Sequence, residues 1–87
     1  MKYIFYSDPG HAWLRVPKEE VKLIKHDISP YSYIGGKYVY LEEDCDAGIF
    51  LLHKFGSIEN SRSHITEKYC EGSSAIRNFQ SYCANMI

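Results

Sequence analysis

The 87-residue chain lacks most of the sequence features that tie a protein to a known chemistry. It has no apolar run of 18 residues, and its first apolar stretch is soon interrupted by Ser-Asp-Pro, which is too early for a signal peptide. We therefore expect a protein that does not enter membranes and stays in the cytoplasm. Walker and GxGxxG loops, GxSxG, and HxE with PCxxC are also missing. The sequence thus predicts no cofactor, no metal and no enzymatic activity.

Charge and cysteine content are equally uninformative about chemistry. The formal net charge is −1, so no overall field attracts nucleic acid or an anionic membrane. The three cysteines, Cys45, Cys70 and Cys83, are an odd number without CxxC spacing, which disfavours a disulfide framework or a zinc site. We expect reduced and mostly buried thiols.

The four histidines do not form a recognisable catalytic or metal-binding pattern. His11, His26, His53 and His64 lack HxxxH and HExxH spacing, so each is expected to be a structural residue. Among short pairings, His11 with Asp8 is the one that merits a test. A Cys/His nucleophile pair stays open as well, because such partners meet in space and need not be close in sequence.

What the chain does have is a tyrosine-rich stretch at residues 31–41, with Gly35 and Gly36 at its centre. A type I′ turn needs positive φ at both central positions, which glycine adopts freely, so the stretch predicts a two-residue β-hairpin. The expected register pairs Tyr33 with Tyr38 and Tyr31 with Tyr40. Opposed residues share a face of a sheet, so all four tyrosines are expected on one side.

This tyrosine face has three interpretations. If another element covers it, the face is a second small core. If it is exposed, four rings form an apolar patch with polar tips, which is typical of protein interfaces. The third interpretation, stacking on single-stranded nucleic acid, is weakened because Lys37, the one cation of the hairpin, lies on the opposite face and the adjoining residues are acidic. Direct nucleic-acid binding is therefore not favoured.

An acidic run follows the hairpin, with the sequence Glu42-Glu43-Asp44-Cys45-Asp46. It can cap and stabilise the start of a helix, because an Asp at the N-cap and negative charge near the helix N-terminus are both favourable. It can also form an acidic patch that meets a basic partner, or a metal or catalytic site. The spacing does not match an EF-hand loop.

The other segments alternate between strand and helix signals. A short helix is expected to begin at Pro17, and an apolar helix over 47–55 is expected to end at Gly56. Ser74 is a candidate N-cap for a short terminal helix, and strands are predicted at 3–6, 12–16 and 63–70. We predict a single α+β domain of residues 1–87. It has a small antiparallel sheet of four to five strands around the central Gly-Gly hairpin and two to three helices packed on one face.

Four segments resemble a group of small uncharacterised proteins carried by tailed phages, prophages and plasmids. They are Asp-Pro-Gly-His-Ala-Trp-Leu at 8–14, Ser-Pro-Tyr-Ser-Tyr at 29–33, Tyr-Leu-Glu-Glu-Asp-Cys-Asp-Ala-Gly at 40–48 and Ile-Arg-Asn-Phe-Gln-Ser-Tyr at 76–82. The chain departs from this pattern after Gly56, over 58–70. The resemblance implies no activity, cofactor or catalytic residue. It implies a context in which small proteins often bind and block a host protein, including CRISPR-type nucleases.

We therefore predict a non-enzymatic interaction protein that inhibits a host protein, such as a nucleic-acid-binding defence complex of the kind that anti-CRISPR proteins block. Its rings would supply contact area, and its carboxylates would pair with Lys and Arg of the partner and displace phosphates. The predicted contact residues are Tyr31, Tyr33, Tyr38, Tyr40, Glu42, Glu43, Asp44 and Asp46. The alternatives are a metal-dependent hydrolase or nuclease that uses the acidic run with a histidine such as His11, and a homodimer that buries the tyrosine face.

Overall fold

A computed structural model describes residues 3–72 and 74–87, which form a six-stranded sheet with helices packed on one face. The strands are β1 (Tyr3–Ser7), β2 (Ala12–Pro17), β3 (Tyr33–Gly35), β4 (Tyr38–Glu42), β5 (Ile65–Tyr69) and β6 (Gln80–Ser81). The helices are a 3-10 helix at Lys18–Asp27, α1 (Ala47–Phe55), α2 (Ile58–Ser61) and short 3-10 turns at Arg62–His64, Ala75–Asn78 and Ala84–Met86. The predicted α+β class is confirmed, with one strand more than expected.

The strand order across the sheet is β5-β1-β2-β4-β3-β6, and most neighbours are antiparallel, as predicted. β5 differs, because it runs parallel to β1, with Tyr3 opposite Ile65. The chain passes through α1 and α2 before it reaches β5, which is the crossover connection that parallel strands require. None of the helices in the described part of the chain is long and apolar enough to span a membrane.

The core lies between the inner face of the sheet and the helices. Alternation along β2 sends Leu14 and Val16 inward, whereas Trp13 and Arg15 lie on the outer face, as the period-two pattern predicts. Each fully buried aliphatic side chain contributes about 1.5–3 kcal/mol relative to an exposed one. Other core residues come from β4 and the helices: Val39, Leu41, Val21, Ile24, Phe50 and Leu51.

The C-terminal segment wraps around the β3 edge of the sheet. The ring of Phe79 lies on the outer face, 5.0 Å from the ring of Tyr40, whereas Tyr82 is buried in the inner core. The Tyr82 hydroxyl donates a hydrogen bond to the carbonyl of Lys25 at 2.5 Å. Because Phe79 and Tyr82 lie on opposite faces, the predicted terminal helix is reduced to a 3-10 turn, although Ser74 caps that turn as expected.

The hairpin of β3 and β4 forms, but its register differs from the prediction. Tyr33 pairs with Tyr40 rather than with Tyr38, and Gly35 pairs with Tyr38. A shift of two residues preserves the side to which each residue points, so Tyr33, Tyr38 and Tyr40 still share the outer face. Tyr31 lies outside the strands and is 70% exposed, which corrects its placement in the hairpin.

The two adjacent glycines have separate roles, and the prediction that both form the turn is wrong. The turn consists of Gly36 and Lys37, with a φ of 59° at Gly36 and no positive φ at Lys37, the pattern of a type II′ turn. Gly35 lies in β3, where a Cβ would be 3.1 Å from the ring of Phe79. This glycine therefore lies in close contact with an aromatic ring and does not form the chain reversal.

Two further local predictions have opposite outcomes. Gly56 ends α1 with a φ of 80°, and its amide donates to the carbonyl of Leu52, which confirms the predicted C-cap. The three thiols of Cys45, Cys70 and Cys83 are exposed, so the prediction of buried cysteines is wrong. They lie in chain segments at the periphery of the sheet, outside the core between sheet and helices.

Candidate functional site

Two of the predicted contact residues, Tyr38 and Tyr40, pack against side chains of their own chain. The guanidinium carbon of Arg15 lies 4.4 Å from the centroid of the Tyr38 ring, a cation–π contact. Tyr40 packs against Phe79, and burial raises the pKa of its hydroxyl, although the charge of Arg15 acts in the opposite direction. Both rings are half-buried on the outer face, so part of their surface is already in contact with their own chain.

A pocket of about 430 Å³ opens on the outer face next to the acidic run. This volume falls within the range of about 300–1,000 Å³ that is common for ligand sites. Its walls combine aromatic rings, carboxylates and one guanidinium group, contributed by Trp13, Tyr31, Tyr33, Glu42, Asp44 and Arg77. We call it the aromatic pocket.

Trp13 is the most deeply placed residue of the aromatic pocket, with 2% of its surface exposed. Its ring meets the ring of Tyr33 edge to face at 6.1 Å, and the guanidinium carbon of Arg77 lies 5.4 Å from its centroid. The indole Nε1 is buried and has no hydrogen-bond acceptor among the described residues. A buried donor without a partner is unfavourable by about 1–3 kcal/mol.

Arg77 is held over Trp13 by Asp8. The Nε and Nη2 atoms of Arg77 donate to the two carboxylate oxygens of Asp8, both at 2.8 Å. The backbone amides of Ser74, Gly10 and His11 also donate to this carboxylate. The hydrogen bonds from Arg77 and then those from the backbone hold the pKa of Asp8 well below its ordinary range. The predicted pairing of Asp8 with His11 therefore exists through the backbone amide of His11 and is structural.

The acidic run divides between buried and exposed positions. Glu42 and Asp46 are 7% and 1% exposed, whereas Glu43 and Asp44 are exposed. The run leaves β4 and enters α1, so its side chains point in different directions. Of the four acidic residues that were expected to contact a partner, the two in the middle of the run are accessible.

Asp46 binds its own chain and has almost no surface for a partner, which corrects its assignment as a contact residue. One oxygen accepts from the amide of Ser29 at 3.0 Å. The other accepts from the hydroxyl of Ser29 at 2.7 Å and from the hydroxyl of Ser32. Asp46 occupies the N-cap position of α1, but its side chain forms no capping bond. The expected side-chain cap from an Asp of the run is therefore not formed, because the carboxylate at this position binds the loop before β3 instead.

Glu42 is a buried carboxylate in the wall of the aromatic pocket. It accepts hydrogen bonds from the backbone amides of Asp44 at 3.1 Å and Cys45 at 3.0 Å. The ion pairs within the described residues join other side chains, so Glu42 has no cationic partner there. It also lies directly opposite Trp13 in the pairing of β2 with β4. The register therefore places the Glu42 and Trp13 side chains on the same face of the sheet, on neighbouring strands.

Negative charge is crowded at this end of the sheet. Burial raises the pKa of Glu43, and the charges of Asp44 and Glu42 raise it further, whereas His11 lowers it. Within residues 3–72 and 74–87, however, no group of three or more His, Cys, Asp or Glu side chains is arranged to hold a metal ion. The arrangement thus gives no support to the metal-dependent hydrolase alternative.

Sequence reasoning missed Trp13 and Arg77 as pocket residues. Alternation in β2 placed Trp13 on the face opposite Leu14, and the pairing of β2 with β4 would have brought it beside the tyrosines. No local pattern marks Arg77, since the contact that fixes its position comes from Asp8 at the other end of the chain.

No family model, curated protein or solved structure matches the chain. The aromatic pocket and its two carboxylates, Glu42 and Asp44, are therefore the features from which a function can be proposed.

Proposed function

We propose that the protein binds another protein through the aromatic pocket and its rim, and that the bound surface of the partner is basic. The observation that carries this proposal is that Tyr31, 70% exposed, and the exposed Asp44 line the same opening. An accessible ring beside carboxylates is the combination that supplies contact area and orientation at protein interfaces. The contact surface is thus smaller than the one predicted from the sequence, because Tyr38, Tyr40 and Asp46 are engaged within the chain.

The charges around the opening favour a cationic partner. Asp44 is exposed and Glu42 is buried in the wall of the pocket, and neither forms an ion pair among the described residues. The guanidinium group of Arg77, which could have attracted an anion, is engaged by Asp8. Phosphate groups would be repelled here, which argues against direct binding of nucleic acid.

Nucleic-acid-binding proteins use basic surfaces to hold phosphates, and the proposed partner surface is also basic. A protein that covers such a surface competes with nucleic acid for the same Lys and Arg side chains. We therefore propose inhibition of a nucleic-acid-binding protein of the host as the consequence of binding. The resemblance to proteins of phages and plasmids agrees with this role.

Site-specific photo-cross-linking tests the proposal. A photoreactive phenylalanine analogue is placed at position 31 on the rim of the pocket and, as a control, at position 23. Leu23 is 86% exposed but belongs to the 3-10 helix on the helix-covered side of the sheet. We expect a specific protein from the bacterial host to cross-link at position 31 and not at position 23. This protein and nucleic acid should then compete for binding to the purified partner.

Charge reversal provides the second comparison. Asp44→Lys should weaken binding strongly, and Glu19→Lys should not, although both change the net charge equally. The Glu19 side chain is 84% exposed and lies away from the pocket. Binding should also weaken as salt is added, because exposed charges are screened. The proposal fails if cross-linking is equal at both positions or if the two charge reversals weaken binding equally.

A further inference from the structure

We propose that the aromatic pocket binds an arginine side chain of the partner protein. Its guanidinium group would pair with the carboxylates of Glu42 and Asp44, while a main-chain carbonyl of the partner would accept a hydrogen bond from Trp13. This inference rests on the proposed function, because it names the chemical group that enters the same surface.

The first reason is the unbalanced charge of Glu42. The residue is 7% exposed, and its carboxylate accepts hydrogen bonds from the backbone amides of Asp44 and Cys45 but forms no ion pair among the described residues. Buried charges in proteins are normally paired, since solvation by water has been lost. Asp44 lines the same pocket and adds a second negative charge at its mouth. A cation that enters from the partner would balance both.

The second reason is the indole of Trp13. Its Nε1 is buried without an acceptor among the described residues, and the ring lines the pocket. Buried indole N–H groups usually have a hydrogen-bond partner. A peptide supplies such an acceptor in its carbonyl oxygen, whereas a free metal ion or an ammonium ion supplies none. The donor and the neighbouring carboxylates together therefore fit a peptide segment with a cationic side chain.

The third reason concerns the shape of the cation. Tyr31 and Tyr33 line the pocket, and planar guanidinium groups stack on aromatic rings more readily than compact ammonium groups do. The outer face already contains such a contact, with Arg15 lying over Tyr38. Arginine can also bind a carboxylate with two parallel hydrogen bonds. The pocket thus suits arginine better than lysine.

Trp13 is the one tryptophan of the chain, so its fluorescence reports directly on the pocket. The folded protein is titrated with three acetylated and amidated tripeptides, Ala-Arg-Ala, Ala-Lys-Ala and Ala-citrulline-Ala. The arginine peptide should shift the emission and also move the indole N–H resonance in a ¹H–¹⁵N spectrum. The uncharged citrulline peptide, which keeps the shape, should bind at least about tenfold more weakly. The lysine peptide should fall between the two.

Variants at three adjacent carboxylates supply the controls. Glu42→Gln and Asp44→Asn should each weaken arginine-peptide binding by about tenfold. Glu43→Gln removes the same charge from a residue that does not line the pocket, and its effect should stay below about threefold. Asp44 is exposed, so Asp44→Asn decides the question even if Glu42→Gln does not fold. Equal binding of the three peptides, or equal loss in all three variants, would overturn the inference.

The two proposals fail separately. If a partner cross-links at position 31 but the arginine peptide neither binds nor competes with it, the arginine pocket is refuted and the binding surface stands. If the arginine peptide binds as described but cross-linking at positions 31 and 23 is equal, the pocket stands and the proposed function is refuted.

Discussion

Both side-chain oxygens of Asp8 accept hydrogen bonds from the guanidinium group of Arg77, which lies 69 positions further along the chain. The contact joins the turn between β1 and β2 to the segment that precedes β6. It also fixes the guanidinium group over Trp13, so a structural ion pair shapes the wall of the aromatic pocket. The stability of the fold and the shape of the aromatic pocket are therefore linked through this one pair.

We expect Arg77→Ala to lower the melting temperature by several degrees at pH 7, because the Asp8 side chain, 1% exposed, loses its charged donor. The pKa of Asp8 is depressed in the folded protein, so the contribution is present above the unfolded pKa and is lost as the pH falls below about 4. The difference between wild type and variant should thus shrink in acid. Circular dichroism melts between pH 2 and pH 7 measure it.

Lys22→Ala is the matched control for this experiment. Its ion pair with Glu19 is exposed and 3.7 Å long, and pairs of that kind contribute little. Its melting temperature should stay close to that of the wild type at every pH. A difference for Arg77→Ala that stays constant down to pH 2 would contradict the assigned role of Asp8.

Gly35→Ala should destabilise the protein by roughly 1–3 kcal/mol, because the new methyl group would lie 3.1 Å from the ring of Phe79. In a Phe79→Ala background the same change should be tolerated much better. Urea unfolding of the four proteins of this double-mutant cycle measures the coupling. Gly48→Ala is the control: it lies in α1 with no atom within 4 Å of the added Cβ, and should stabilise by roughly 0.5–1 kcal/mol. Additive effects would show that Gly35 has another role.

Asp46→Ala should lower the free energy of unfolding by roughly 2–3 kcal/mol, because the buried hydroxyl of Ser32 and the backbone amide of Ser29 lose a charged acceptor. Asp44→Ala, two positions away and exposed, should change it by less than about 0.5 kcal/mol. Urea unfolding compares the two variants. Faster hydrogen exchange at the Ser29 amide in Asp46→Ala would show that the hydrogen bond to this amide has been lost. Similar decreases in the free energy of unfolding for both variants would contradict the structural role of Asp46.

The exposed thiols of Cys45, Cys70 and Cys83 should all react with a thiol reagent in the folded protein without denaturant. Desolvation raises the pKa of Cys45, and Glu42 and the neighbouring carboxylates raise it further, so we expect slow reaction at this thiol near pH 8. The slow phase of the reaction should be absent in Cys45→Ser. In Asp44→Asn, which keeps this thiol but loses a neighbouring negative charge, the same phase should be faster. Fewer than three reactive thiols would show that part of this surface is covered.

The sequence predicted the features that depend on neighbouring residues. The period-two pattern of β2 correctly separated Trp13 from Leu14, because alternation is a property of any strand. The end of α1 at Gly56 was predicted from a loss of apolar periodicity followed by a residue that tolerates positive φ. The fold class followed from the order of such local signals.

The features that were missed depend on contacts between distant parts of the chain. The hairpin register differs from the predicted one, and Gly35, which was expected in the turn, lies instead in β3 beside the ring of Phe79 from the C-terminal segment. Asp46 lost its predicted capping role to hydrogen bonds with the loop before β3. The spacing of residues within one segment does not specify such distant partners. The candidate site therefore contains fewer residues than predicted, namely those that other parts of the chain leave accessible.

The parallel pairing of β1 with β5 determines when the sheet can be completed during synthesis of the chain. Tyr3 leaves the ribosome well before Ile65, its neighbour in the sheet, because the two residues are far apart in the sequence. A nascent chain that ends before β5 leaves one edge of β1 without hydrogen-bond partners. Contacts between residues this far apart in the sequence slow folding, so the sheet should be completed only after β5 has been synthesised.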